Sequence, residues 1–441
     1  MKLFFVKILL LVSAGILGKN MSTVKKLFRS VATYASANVI NSAIPFFLLP
    51  VLTRVLSPAE YGVVAMFTTL MSALAAVTGL SLHGAVSVRY FSIDTDHPRF
   101  VGTCLSVLAA STSLALLFVW LFSAPLSNGV NLPVAWLFAA VLGSAVQTVI
   151  NIRLVMWQVE GDVLHYGFFQ VTQTLLNMSL SLYLILVLGL GWEGRGLGIA
   201  VAVFVFGALA LISLQRGRKI AWGLNFDYVR ASLRFGVPLI PHSLGGIMLS
   251  MSDRFILMSM LGAASTGGYA VGAQIGMLVG VLADAFSKAF VPHLYEELRS
   301  ANEDSRLRVA RQCAAVFVLF LCLAVIYVVL LPYVYPFFVG EGYEDSLTVA
   351  KLIGFGNAFV GMYYVVAGFV FFSEQTGYLS RLTILIGFVN VGVSVFLVDK
   401  VGVLGAAWSY LLVQILFFAG AWYIAQRVYP LPWFSLFFLK K

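Results

Sequence analysis

The sequence predicts an all-α integral membrane protein: twelve transmembrane helices in two parallel-repeat six-helix bundles around a central cavity. Three observations carry this. The 441 residues are 61% hydrophobic and only 10% charged, whereas a soluble domain is about half apolar and about a quarter charged. The apolar runs are continuous and about 20 residues long, the length that crosses hydrocarbon as a helix. The layout of those runs repeats once along the chain. Lipid offers no partner to backbone amides, so spans are helices or closed barrels, and unbroken rather than alternating apolar runs select helices.

Lys2 ahead of the apolar stretch Ile8 to Gly18 has the layout of a signal peptide. Met21-Ser-Thr-Val-Lys-Lys follows at once and reads as a second start. Residues 1–20 are therefore set apart as an N-terminal extension or signal-like segment. From Met21 the spans are predicted near 33–52, 62–84, 101–123, 132–154, 167–190 and 196–214 in residues 21–220, the N-terminal bundle. They continue near 235–257, 266–288, 312–332, 347–372, 381–398 and 402–424 in residues 221–441, the C-terminal bundle with a cytoplasmic tail. Short connections make consecutive helices neighbours.

The net charge of +10 orients the chain and gives no reason to expect nucleic acid as a partner. Of the 28 lysines and arginines, with Lys2 and Lys7 set aside, only Arg54, Arg195, Arg254, Lys351 and Lys400 fall on one side. The positive-inside rule then places the other, basic side and both termini in the cytoplasm, which implies a multi-pass protein of a bacterial inner membrane. The longest loops, about 215–234 and 289–311, read as charged connectors or amphipathic surface helices. There is no aqueous domain large enough to carry catalysis.

The two halves resemble one another. Leu56-Ser-Pro-Ala-Glu-Tyr61-Gly62 aligns with Leu261-Gly-Ala-Ala-Ser-Thr266-Gly267 at an offset of 205 residues. At the same offset Tyr90 falls on Tyr295 and His83 on Lys288, and Leu176-Asn177 resembles Val389-Asn390 with a different gap. Six spans per half keep the repeats parallel, an arrangement that builds transporters with substrate between the halves.

Ionisable groups inside spans are costly and so point to function or to pairing. Asp253-Arg254 lies late in the seventh span; Asp284 and Lys288 stand four apart on one face of the eighth. His83 and Arg89 follow the second span, and Arg153 ends the fourth. Two readings stand. Asp284 with Lys288, and Asp253 with Arg254 and neighbours, pair and pin helices; or His83, Arg89, Arg153, Arg254 and Lys288 face a wet cavity and hold an anion such as a pyrophosphate, for which Arg offers a fork and Lys a point charge. In the second reading Asp253 and Asp284 are the places where H⁺ or Na⁺ couples to transport. Gly268, Gly272, Gly276 and Gly280 make a smooth stripe for close helix packing. Pro45, Pro50, Pro238 and Pro241 bend the first helix of each half.

Cys104, Cys313 and Cys322 lie in apolar runs and read as buried small side chains, with no metal spacing. No P-loop, HExxH, GxSxG or Cys/His cluster occurs. No cofactor and no enzymatic activity are expected.

Asn38 through Pro45, followed by Leu49-Pro50-Val-Leu-Thr-Arg54-Val-Leu-Ser57-Pro58-Ala-Glu60-Tyr61-Gly62, is similar to the opening of polysaccharide-repeat flippases of the Wzx type. So are Asp253-Arg254-Phe-Ile-Leu, Leu261-Gly, Gly268-Tyr269 and Glu160-Gly161-Asp162. The resemblance implies the multidrug/oligosaccharidyl-lipid/polysaccharide exporter fold, two six-helix bundles in a V around a cationic cavity. It implies an undecaprenyl-pyrophosphate-linked oligosaccharide as substrate, flipped to the periplasmic leaflet by alternating access coupled to H⁺ or Na⁺, for O-antigen, capsule or exopolysaccharide. The lipid bilayer, a polysaccharide polymerase and chain-length proteins are the partners it implies. A drug or metabolite antiporter of the same fold would favour an acidic cavity, and the interior charges lean basic. A membrane-embedded glycan polymerase or ligase would need a large external loop, and the longest here, 332–346, is short and acidic.

Overall fold

The computed structural model describes residues 44, 46–90, 92, 94–299, 303–373, 375 and 377–433. Among these, nine helices are long and apolar enough to cross a membrane, and the architecture is all-α. The extension 1–20 and most of the first predicted span lie outside the described residues, and so does Pro45.

The first bundle holds α1 (Phe46–Val55), α2 (Pro58–Gly79), α3 (Leu82–Arg89), α4 (His97–Leu121), α5 (Ser123–Val130), α6 (Val134–Glu160), α7 (Val163–Leu186) and α8 (Gly191–Arg216). A connecting helix α9 (Phe226–Gly236) packs on α3 and α4. The second bundle holds α10 (Ile240–Ser250), α11 (Ser252–Arg299), α12 (Glu303–Phe338), α13 (Ser346–Phe372), α14 (Gly377–Val401) and α15 (Val403–Val428). Within the first bundle α6 packs on α2, α4 and α8, and α7 on α8; within the second α13 packs on α11, α12 and α15, and α14 on α15.

Local sequence explains where several helices begin. Ser57 caps α2 in a reciprocal box with Glu60, and Pro58 occupies the first turn, where its missing N–H costs nothing. The second span thus starts at residue 58 rather than 62. It ends earlier too, because Leu80 and Ser81 adopt left-handed backbone, and His83 lies on the separate helix α3 beyond that break.

The predicted seventh span, 235–257, is not one helix. Val237–Leu239 is a 3₁₀ turn, α10 follows, Met251 leaves helical geometry, and α11 begins at Ser252. Gly262 then kinks α11 at φ 81°, a conformation open to glycine because it has no Cβ, and this turn separates the seventh span from the eighth. The eighth runs on to Arg299, and α12 resumes at Glu303, so much of the loop expected over 289–311 is helix. Cys104 and Cys313 are buried, but Cys322 is exposed on α12, a correction to the expectation that all three are buried.

The seam between the bundles is tight at the end that carries few basic residues. Gly62 of α2 and Gly267 of α11 meet there: a Cβ on Gly62 would lie 1.9 Å from the Ala263 carbonyl oxygen, and one on Gly267 would lie 1.8 Å from that of Pro58. The chain around α1 is latched to the turn between α12 and α13. Gly340 N–H donates to Thr53 Oγ1 at 3.0 Å, the Tyr343 hydroxyl donates to the Leu56 carbonyl at 2.8 Å, and Arg54 donates to the Pro336 and Phe337 carbonyls at 3.2 and 3.3 Å. Beneath them Leu48, Leu52, Leu56, Val271 and Ile275 form a buried apolar plug drawn from both bundles.

Toward the basic end α2 and α11 part. By helical spacing Met277, Val281 and Lys288 continue the α11 face that bears Gly267 and Gln274, yet all three are exposed. Ser72 and Val77 of α2 are exposed as well. The molecule is a V closed at the sparse end and open at the basic end.

Candidate functional site

At the bottom of the V a cavity of about 240 Å³ opens between the bundles. Its polar walls are Tyr61, Thr68 and Arg195 from the first bundle and Arg254 and Gln274 from the second. No carboxylate is among the lining residues. Its volume is below the usual range for a drug-sized ligand and suits a compact anionic group.

Each arginine is held by its own bundle. Arg195 Nη1 donates to Asn177 Oδ1 at 2.6 Å and to Ser181 Oγ at 2.7 Å, both on α7. Gly198 permits this approach of α7 to α8, since a Cβ there would lie 2.1 Å from Ser181 Oγ. Arg254 Nη1 donates to the Ser250 carbonyl across the α10–α11 break, at 3.2 Å. The break at Met251 therefore supplies the acceptor that aims this guanidinium. Across the seam the Tyr61 hydroxyl donates to Gln274 Oε1 at 2.8 Å.

Behind Arg254 lies Asp253, 7% exposed. Its carboxylate accepts from the Tyr269 hydroxyl and from the Arg254 backbone N–H. Close by, the Tyr410 hydroxyl donates to Asn357 Oδ1 at 3.1 Å, and Asn357 Nδ2 donates to the Gly276 carbonyl at 3.2 Å. These groups form a polar layer inside the second bundle.

The other residues singled out from the sequence are dispersed. Lys288 pairs with Asp284 at 2.6 Å on the open wall of the V, the two side chains 70% and 46% exposed. Arg153 is buried far from the seam; it stacks 4.0 Å over the Trp157 ring, donates to Ser213 Oγ at 3.0 Å, and lies 3.8 Å from Glu160, which Lys219 also pairs at 2.7 Å. His83 is half-buried and Arg89 exposed, both on α3. Of the glycine stripe, Gly272, Gly276 and Gly280 press against Val349, Ile353 and Asn357 of α13, while nothing lies within 4 Å of a Cβ at Gly268. Among the described residues no group of His, Cys, Asp and Glu could hold a metal.

Four polar cavity residues, Tyr61, Thr68, Arg195 and Gln274, are not among the candidates read from the sequence. Arg195 sits one residue before the predicted start of the sixth span, whereas α8 begins at Gly191 and takes it inside. Tyr61 and Gln274 carry no charge, and a search for ionisable groups passes over them.

Residues 27–296 match the family described as polysaccharide biosynthesis protein. An uncharacterized membrane protein of Haemophilus influenzae is 25% identical over 285 residues, covering 63% of this chain and 67% of that protein. Among solved structures, the lipid II flippase MurJ in an inward closed conformation superposes with a TM-score of 0.75 at 12% identity, over 89% of this chain and 87% of that one. An inward-facing multidrug resistance transporter of the MATE family, in the MOP superfamily, gives 0.70 at 15% identity, over 92% and 96%. At these identities the likeness is one of fold, the twelve-helix architecture of that superfamily. The chain is thus a multi-pass membrane protein that belongs to the polysaccharide biosynthesis protein family.

Proposed function

We propose that this protein flips an undecaprenyl-pyrophosphate-linked oligosaccharide repeat unit from the cytoplasmic to the periplasmic leaflet, in the bacterial inner membrane, with its basic end in the cytoplasm. The observation that carries the reading is the pair Arg195 and Arg254, one from each bundle, lining a single cavity without a carboxylate in its walls. A charge in mid-bilayer costs at least ~2.5–3.5 kcal/mol. Two guanidiniums at the floor of a cleft open to one leaflet offset that cost for a diphosphate, while the lipid tail stays in the bilayer. Because each bundle contributes one arginine, rocking the bundles would pass the anion from one side to the other without covalent chemistry.

Lys288, on the open wall, is the first cation an entering headgroup would meet, with Asp284 as its resting partner. His83 and Arg89 are further cation candidates on the same, basic side of the molecule. Asp253 is the better coupling carboxylate, because its acceptor oxygens face a tyrosine hydroxyl and a backbone N–H rather than a lysine. Protonation there would release Tyr269 and alter the field at Arg254.

The test counts lipid-linked repeat units in each leaflet of a deletion strain carrying Arg195→Ala or Arg254→Ala, at matched membrane levels. Units should accumulate on the cytoplasmic side and surface polysaccharide should fall. A deletion that leaves both leaflet counts unchanged contradicts the reading.

A further inference from the structure

We infer that a row of uncharged amides on α6 and α7 recognises the sugar portion of the cargo, and that the row begins where the phosphate-holding arginine ends; this assignment rests on the flippase reading above. Among the long described helices of the first bundle, α7 alone is outside the set apolar enough to cross a membrane. Its amide side chains share one face, while His165, Thr172 and Ser179 lie on the other. Tyr166, Gln170, Gln173, Asn177 and Ser181 follow at intervals of three or four, which places them on one side of the helix. The apolar side chains Leu164, Phe168, Leu175 and Tyr183 are exposed on the other side, toward lipid. Met178, Leu182 and Ile185, next to the row, pack into the plug between the bundles. The row therefore faces α6 and α8 inside the first bundle, with the plug on its flank.

The amides are linked but not saturated. Gln173 Nε2 donates to Gln147 Oε1 at 3.4 Å, and Gln147 Nε2 donates to Asn151 Oδ1 at 3.1 Å, which joins α7 to α6. Asn177 Oδ1 accepts from Arg195 at 2.6 Å, so the top of the row stands directly behind a cavity-lining arginine. Lower down, Gln170 Oε1 is buried without a donor among the described residues. A buried acceptor left unpaired is costly unless a ligand or water completes it.

These features fit a neutral polyol. Each amide offers both donors and an acceptor, which suits hydroxyl groups that do both. An anion would call for cations and a proton path for titratable groups, and the row from Gln170 to Asn177 has neither. From Asn177 to Tyr166 the helix rises ~16 Å, length for more than one sugar ring. The sugar nearest the diphosphate would lie by Asn177, and later sugars by Gln173, Gln147 and Gln170, while Ser181 is fully buried and serves only to hold Arg195.

The test uses two cargoes in the deletion strain: the complete lipid-linked repeat unit, and a lipid-linked single sugar made where the later glycosyltransferases are absent. The paired variant Gln147→Leu/Gln173→Leu is compared with the wild type at equal membrane abundance and equal thermal midpoint, and Gln173→Asn serves as the polar control. The ratio of complete-unit flux to single-sugar flux should fall by roughly tenfold, with partial recovery in the asparagine variant. A ratio within about twofold of wild type, whether both fluxes fall together or neither falls, overturns the assignment while the flippase reading stands. If the deletion itself leaves both cargoes moving normally, the flippase reading fails and takes this assignment with it.

Discussion

Gly62 and Gly267, which occupy equivalent places in the two sequence repeats, meet backbone to backbone across the seam, each against the carbonyl of a residue at the start of the other's helical turn. The repeat thus places its own smallest residue at the point of closure in both halves. Gly62→Val or Gly267→Ala would push α2 and α11 apart, since the space a Cβ needs is taken by backbone and overpacking of this kind costs ~1–3 kcal/mol. The expected outcome is a seam that no longer shuts at the sparse end. An Ala65→Cys reporter, in a background with Cys104, Cys313 and Cys322 replaced by alanine, should react several-fold faster with an impermeant maleimide applied from that side. Unchanged reactivity would show that the glycines do not form the gate.

The Tyr61–Gln274 bond crosses the same seam. Tyr61→Phe removes the hydroxyl and keeps the ring, so it removes about 1 kcal/mol from the closed arrangement, about fivefold in its population. The same reporter should show a smaller rise in reactivity than with Gly62→Val. Transport should slow without loss of folding, as judged by an unchanged thermal midpoint.

Arg153 separates stability from transport. The residue is 7% exposed, and its guanidinium stacks on Trp157 and shares Glu160 with Lys219. Arg153→Ala leaves the Ser213 hydroxyl and part of Glu160 without a partner, at ~1–3 kcal/mol. The purified variant should unfold at lower temperature, while flux per folded molecule stays near that of wild type. A stable variant with abolished flux would instead return Arg153 to the transport path, as the sequence reading allowed.

Asp162 gives a pH dependence with a defined sign. It caps α7, accepting from the His165 backbone N–H at 3.3 Å and pairing with His165 Nδ1 at 2.7 Å. Burial, the largest single effect, opposes its ionisation, but the hydrogen bonds from His165 together outweigh it and hold the carboxyl below its ordinary value. The stabilisation is therefore present above the ordinary pKa of about 3.9 and is lost as pH falls through the lower folded value. Asp162→Ala should cost about 1 kcal/mol near neutral pH, and the gap between variant and wild type in thermal midpoint should narrow below about pH 4. A gap that is constant from pH 7 to pH 3 would contradict the assignment.

The helical membrane architecture was legible because lipid forces a single answer on long apolar runs. The interruptions were less legible. Proline at 238 and 241 announced a bend in the seventh span, but the break at Met251 and the start of α8 at Gly191 depend on packing rather than on local propensity. The site was read in part for the same reason. Arg254 stood out as a charge inside a span, whereas Arg195 belonged, on hydropathy alone, to a loop. Lys288 and Asp284 were paired correctly by their four-residue spacing, yet spacing could not say that the pair faces the open cleft. Tyr61, Gln274 and the amide row escaped because they carry no charge, and only the fold assembles them.

In the proposed function, Arg195 and Arg254 jointly hold an anionic headgroup between the bundles. The most direct measurement is flux of a lipid-linked diphosphate sugar in proteoliposomes containing wild type, each single arginine-to-glutamine variant and the double variant Arg195→Gln/Arg254→Gln. Each single variant should lose tenfold or more, since a charged hydrogen bond is worth ~1.5–3 kcal/mol, and the double variant should lose less than the product of the two, because both arginines act on one group. Wild-type flux in the double variant, with the protein folded and correctly inserted, would contradict this shared role.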